Sequence, residues 1–260
     1  MMLEILNSLS WKSATFSLIV FFIAFSVCGI LLVRALVNHN TLKKHHDVAA
    51  VVFANIGVLY GVLLGFTVVN VQQRFDKIQE IIQVEASDLI ELSRNAEVFP
   101  EKAKLEIRAA IINYIEDVLT REWELMKERV IVNEKSAAES AIWQVYYNIT
   151  PSNDKELAWY TESISKLNQC NSARVTRLLG SRQSLGSEMW TLLILGGCAL
   201  ITFMWFFGLE SLAVHIMMTS ILTASTVFLL FLIYSLDTVF TGGVIIPPEA
   251  FVKALQTLRS

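Results

Sequence analysis

Charge, proline and cysteine are all scarce in this chain: 17% of its 260 residues are charged, four are proline and three are cysteine. Cys28, Cys170 and Cys198 lack the spacing of a zinc site, and two of them sit inside apolar runs. Neither a disulfide framework nor a metal centre is expected from them. No block of five or more Lys or Arg occurs and the net charge is −3, so a nucleic-acid partner is not expected. The chain also lacks a phosphate-cradling glycine loop, a G-x-S-x-G elbow and an H-E-x-x-H pair. It reads as no enzyme, with no cofactor. The carboxylate pairs Glu116 with Asp117 and Glu122 with Glu124 fall on what reads as the solvated face of a helix.

What the chain has in abundance is apolar sequence, 54% by residue, gathered into blocks. Four runs without a charge, at 13–33, 48–73, 189–209 and 211–236, reach the roughly 20 residues that a spanning helix needs. The first exceeds the apolar core of a signal peptide and no small-x-small cleavage site comes after it, so it reads as a retained span. Ser26-Val27-Cys28-Gly29 is a poor lipoprotein box, and lipidation is not expected. Between residues 74 and 188 the composition reverses: 15 of the 21 Lys/Arg and 19 of the 24 Asp/Glu lie there. Punctuation inside this stretch is sparse, which predicts long helices at about 74–98, 101–131, 135–149 and 153–185.

The expected fold is therefore all-α. Residues 1–73 hold transmembrane helices one and two, 74–188 a helical aqueous domain, 189–236 helices three and four, and 237–260 a C-terminal tail. The second aqueous helix, from Glu101, carries Ile107, Ile111, Tyr114, Ile115, Val118 and Leu119 as a bundle stripe. Trp143, Tyr146, Tyr147, Trp159 and Tyr160 read as core and interface aromatics.

The Lys and Arg near the spans favour one orientation. Nine lie on the side of the termini and the aqueous domain: Lys12, Arg74, Lys77, Arg94, Arg174, Arg177, Arg182, Lys253 and Arg259. Three, Arg34, Lys43 and Lys44, lie on the other side. Both termini and the domain are expected in the cytoplasm of a multi-pass plasma-membrane protein, the inner membrane if the source is prokaryotic. The first loop alone argues the reverse, since its charges outnumber Lys12.

His39, His45 and His46 beside Asp47 could in principle hold a cation, but adjacent histidines chelate poorly, and they read as solvated loop residues. His215, inside the fourth run, reads as a neutral interfacial histidine, with a pore-lining or pH-sensing role as the alternative.

The second run carries two opposed stripes. At about 100° per residue, Ala50, Ala54, Gly57, Gly61 and Gly65 fall on one helix face, which suits close backbone packing. Roughly opposite stand Asn55, Leu59, Val62, Phe66, Asn70 and Gln73, three bulky apolar residues bracketed by amides. That pattern suits a hydrophobic constriction between wetter vestibules, and plain helix packing as well. No Gly or Pro separates Gln73 from Arg74 and Phe75, so the helix should continue into water. Extending the same face brings Lys77, Glu80, Asp88 and Glu91 toward the axis, a mostly acidic lining that would favour cations.

Short motifs in order along the chain resemble a bestrophin-like family of membrane proteins. They are Gly65-Phe66-Thr67, Glu85-Ala86, Tyr114, Glu122-Trp123, Arg177 with Arg182 and Trp190, and Leu236-Asp237 with Phe240 and Gly242, extended by Pro248 and Phe251. The resemblance spans roughly residues 45–255, with one departure: Val239 stands where the family has proline. At one remove it implies a relationship to bestrophins, pentameric ion channels with four spans per subunit, a cytosolic helical domain and a hydrophobic neck on the second span. Many members of that group pass anions such as chloride, so the resemblance and the acidic lining point to different ions. The expected function is a homo-oligomeric ion channel in the lipid bilayer that passes inorganic ions. The alternative is a membrane-anchored scaffold or sensor whose helical domain binds a protein partner.

Overall fold

The computed structural model describes residues 11–37, 42, 46–130, 136–241 and 243–260, with backbone alone at Trp11, Lys12 and His46. His39, His45, Lys43, Lys44 and Gly242 lie outside the described residues, as does the His46 side chain. Every regular element among the described residues is helical: α1 (Trp11–Leu36), α2 (His46–Asn95), α3 (Glu101–Asp117), α4 (Trp123–Lys127), α5 (Ala137–Tyr147), α6 (Asp154–Gly180), α7 (Ser187–Trp205), α8 (Leu212–Asp237) and α9 (Glu249–Arg259). Each of the four charge-free runs corresponds to a helix long and apolar enough to cross a membrane, although the third helix ends at Trp205, before the close of its run at Leu209.

The chain divides into two compact units. One comprises residues 1–73, 184–237 and 242–244, the other 74–183, 238–241 and 245–260. In the first, α1, α7 and α8 pack together, and the apolar part of α2 meets α7. Tyr60 of α2 is buried, and its hydroxyl donates to the Leu193 carbonyl of α7 at 2.7 Å. Its ring lies over bare backbone, since a Cβ added at Gly196 would stand 2.6 Å from two of its carbons. Close helix approach of this kind supplies the dispersion contacts that lipid cannot outcompete. Gly196→Ala is expected to cost roughly 1–3 kcal/mol by overpacking, read as a lower melting temperature of the purified protein in detergent. An unchanged transition would mean the ring can move aside.

Gly57, Gly61 and Gly65 behave differently. A Cβ at any of the three meets nothing within 4 Å, so their face is not packed by the described residues. Close junctions within the first unit use glycines of other spans, at Gly196 and Gly197 against Tyr60 and at Gly29 against the Trp205 ring. His215, read from the sequence as interfacial, is buried completely by its neighbours. Its Nε2 lies 2.9 Å from the Met204 carbonyl, and because a carbonyl only accepts, that nitrogen carries a proton.

The second unit is built around a rod from Glu101 to Lys127, in which α3 and α4 are joined by a π-helical turn, Val118–Glu122. Ile107, Ile111, Tyr114, Ile115 and Val118 are buried along it. Polar capping fixes the helix starts: Ser136 Oγ accepts from the Ala138 and Glu139 amides, and Asn153 Oδ1 accepts from Glu156 N at 2.9 Å. Glu156 in turn accepts at 2.8 Å from the N–H of Ser152, the residue before the N-cap. Tyr146 is buried, which pushes its hydroxyl pKa up to about 12, whereas Tyr147 is exposed.

Candidate functional site

Along α2 the residues buried by the chain itself advance in steps of three and four, through Tyr60, Leu64, Thr67, Val71, Phe75, Ile78, Ile82, Glu85, Leu89 and Leu92. Between Tyr60 and Leu92 this seam keeps the 3.6-residue period. Asn55, Leu59, Val62, Phe66, Asn70 and Gln73 lie on the far side and are exposed, Leu59 to 71% and Phe66 to 74%. Asn55 turns its amide back, donating to the Val51 carbonyl at 2.8 Å. Ala50 and Gly57 are half-buried and Ala54, Gly61 and Gly65 exposed, on a flank between the seam and the amide-bracketed stripe.

Of the four charges farther along, Lys77 and Glu80 are exposed. Asp88 is 4% exposed, and Lys166 of α6 reaches both acidic positions, with Nζ 3.3 Å from Asp88 Oδ1 and 2.9 Å from Glu91 Oε2. No group of three or more metal-ligating side chains occurs among the described residues.

A second constellation is a buried ionic cluster that residue-type reasoning places in solvent. Glu85 and Glu122 are both fully buried, and so are Arg174 and Arg177. Arg177 donates through Nε to Glu85 Oε2 at 2.7 Å and through Nη2 to Glu85 Oε1 at 2.9 Å and Glu122 Oε2 at 2.8 Å. Arg174 donates through Nη2 and Nε to Glu122 Oε1 at 2.6 and 3.1 Å. The Tyr114 hydroxyl donates to Glu85 Oε1 at 2.5 Å. Two carboxylates and two guanidinium groups balance in charge, and their lone pairs are met by forked donors, which is what makes ion burial tolerable. Burial, reinforced by Glu85, drives the Tyr114 pKa well above its ordinary 10.0, so the hydroxyl remains a donor. Burial works against the charge on Arg177, but Glu85 beside it outweighs that and holds the guanidinium protonated. The Arg177 guanidinium also lies 5.4 Å above the Phe251 ring.

The assignment of Glu122 to a solvated face is thus overturned. The stripe through Ile107, Ile111, Tyr114 and Val118 continues four residues on to Glu122, so periodicity places it inward despite its charge. The π turn then adds a residue to that turn, rotating the next residues by about 100°. Trp123 and Met126 join the same face and are buried there. The Trp123 ring meets Phe240 at 5.4 Å and Phe251 at 6.1 Å. Elsewhere Asp237, at the end of α8, accepts from Leu185 N at 2.8 Å and Trp190 Nε1 at 3.3 Å. The scattered motifs at Glu85, Tyr114, Glu122-Trp123, Arg177, Phe240 and Phe251 therefore meet in one buried core.

Arg174 and Arg177 also belong to the nine charges that sequence position assigns to the membrane flank. Bound inside the cluster, they are not available to it, and the balance falls from nine against three to seven against three, with unchanged sign.

In fold the chain is similar to a point variant of a bacterial bestrophin homolog from Klebsiella pneumoniae, with a TM-score of 0.69 and 13% identity over 92% of this chain and 97% of that one. A second structure of the Klebsiella homolog gives a TM-score of 0.68 at 12% identity, covering 92% and 96%. Identity this low speaks for shared architecture alone. No curated protein matches the chain. The sequence profile of the Bestrophin-like domain matches residues 20–251, nearly the whole chain, and the protein belongs to the bestrophin-like family.

Proposed function

We propose that this protein is the subunit of a homo-oligomeric ion channel in which α2 lines the pore. Leu59, Val62 and Phe66 form a hydrophobic constriction, with Asn55 in the vestibule on one side and Asn70 and Gln73 on the other. One observation carries this reading: the amide-bracketed stripe is exposed on the side of α2 turned away from the chain's own core. Amide groups facing hydrocarbon with part of their hydrogen-bonding capacity unmet are costly, whereas around a symmetry axis they would be wetted. The subunits sit in the plasma membrane with both termini and the helical unit on the cytoplasmic side, as seven basic residues against three support. A pentamer is the number that the resemblance implies.

The flank carrying Ala50, Ala54, Gly57, Gly61 and Gly65 is the packing surface for a neighbouring subunit. Because a Cβ at Gly61 meets nothing among the described residues, Gly61→Leu separates folding from assembly. Monomer stability in detergent should be retained while the oligomer peak in size-exclusion chromatography is lost. A variant that assembles normally removes the packing surface from the proposal. The function itself is tested by currents from the purified wild-type oligomer in planar bilayers. A silent protein favours the membrane-anchored scaffold or sensor.

A further inference from the structure

Lys166 stands between two carboxylates of α2 that differ in exposure. Asp88 is 4% exposed, and its Oδ2 is buried with no hydrogen-bond partner among the described residues, so this carboxylate leans on the Lys166 ammonium at Oδ1. The Glu91 side chain is 44% exposed while pairing with the same Nζ at 2.9 Å. The buried seam of α2 holds its period as far as Leu92, and at about 100° per residue Glu91 falls within about 20° of Phe66 around the helix. On the helical wheel Glu91 therefore continues the face on which the sequence places Asn55, Leu59, Val62 and Phe66.

We infer that Lys166, a residue of α6, determines the charge selectivity of the conduction path by offsetting Asp88 and Glu91. The inference rests on α2 lining the pore. On this side of the helix Lys77 and Glu80 are exposed and cancel in charge. What remains is the group formed by Asp88, Glu91 and Lys166, which carries one net negative charge per subunit. Without the lysine it carries two, repeated around the axis. A ring of uncompensated carboxylates at a narrow mouth concentrates cations and repels anions. The lysine thus acts as a tethered counter-ion that the acidic lining brings with it.

Reversal potentials in planar bilayers under a KCl gradient test this. Lys166→Met is expected to raise the cation-over-anion permeability ratio about threefold or more. Glu91→Gln should move it in the opposite direction, and Lys166→Arg, which keeps the charge, should leave it near wild type. A conducting Lys166→Met oligomer with the wild-type reversal potential overturns the inference. Should that variant fail to assemble, Glu91→Gln decides alone, and an unchanged ratio there is equally fatal. A wild-type protein without current overturns the pore reading itself, an outcome distinct from normal currents with unaltered selectivity.

Discussion

Arg177→Met should prevent the helical unit from folding, or lower its stability by about 3–5 kcal/mol where it survives. Methionine fills much of the volume but leaves two carboxylates, Glu85 and Glu122, buried together without the guanidinium that bonds both of them. Arg174 still holds Glu122, so the uncompensated charge falls on Glu85, whose remaining side-chain donor is the Tyr114 hydroxyl. One hydroxyl donor is a poor substitute for a forked cation in a buried site. Against a total of about 5–15 kcal/mol for an ordinary domain, such a loss removes a large part of the margin. The exposed ion pair between Arg259 and Glu116 is the control. Arg259→Met should change stability by less than about 1 kcal/mol. Thermal unfolding of both variants in detergent, followed by tryptophan fluorescence, reads the difference. Equal melting temperatures would show that the cluster does not hold the unit together.

The same cluster shows which structural features the sequence makes legible. The four spanning helices come directly from charge-free runs, because length and apolarity are local properties of the chain. The stripe on α3 is equally readable through Val118, and its period alone points Glu122 inward. Residue type overrides that signal, since a glutamate is ordinarily solvated. What periodicity cannot supply is the partner: Arg174 and Arg177 lie more than fifty residues away and look like juxtamembrane charges until the fold brings them to Glu122. The π turn that seats Trp123 beside it has no evident mark in Val118-Leu119-Thr120-Arg121-Glu122. Small residues mislead in a different way. Spacing singles out Gly57, Gly61 and Gly65, yet tight contacts fall at other glycines, among them Gly29 and Gly196, set by the bulky Trp205 and Tyr60 opposite them. Lys166 is hidden for the same reason as the arginines, a contact made across 78 residues of sequence.

Exposure in a single chain does not distinguish a side chain facing lipid from one facing a pore, and Phe66→Ala is the substitution that separates them. Phe66 is 74% exposed and Phe16 of α1 is 70% exposed, so by accessibility the two are equivalent. They differ in company. Phe66 shares its face with Asn55, Asn70 and Gln73, whereas Phe16 precedes a run of aliphatic and aromatic residues through Phe25. If Leu59, Val62 and Phe66 surround an axis, removing the ring widens the narrowest apolar level and makes it easier to wet. A barrier lowered by about 1.4 kcal/mol raises the rate of crossing tenfold, so current at fixed voltage should rise by about that factor. Asn70→Leu should do the reverse, lengthening the apolar stretch at one end and reducing current. Phe16→Ala, which trims a lipid-facing ring, should leave conduction as it was. Single-channel recordings of the three variants beside wild type make the comparison. A Phe66→Ala oligomer that conducts like wild type would move the constriction off α2, because no ring at a hydrophobic gate can be removed without changing how water enters it.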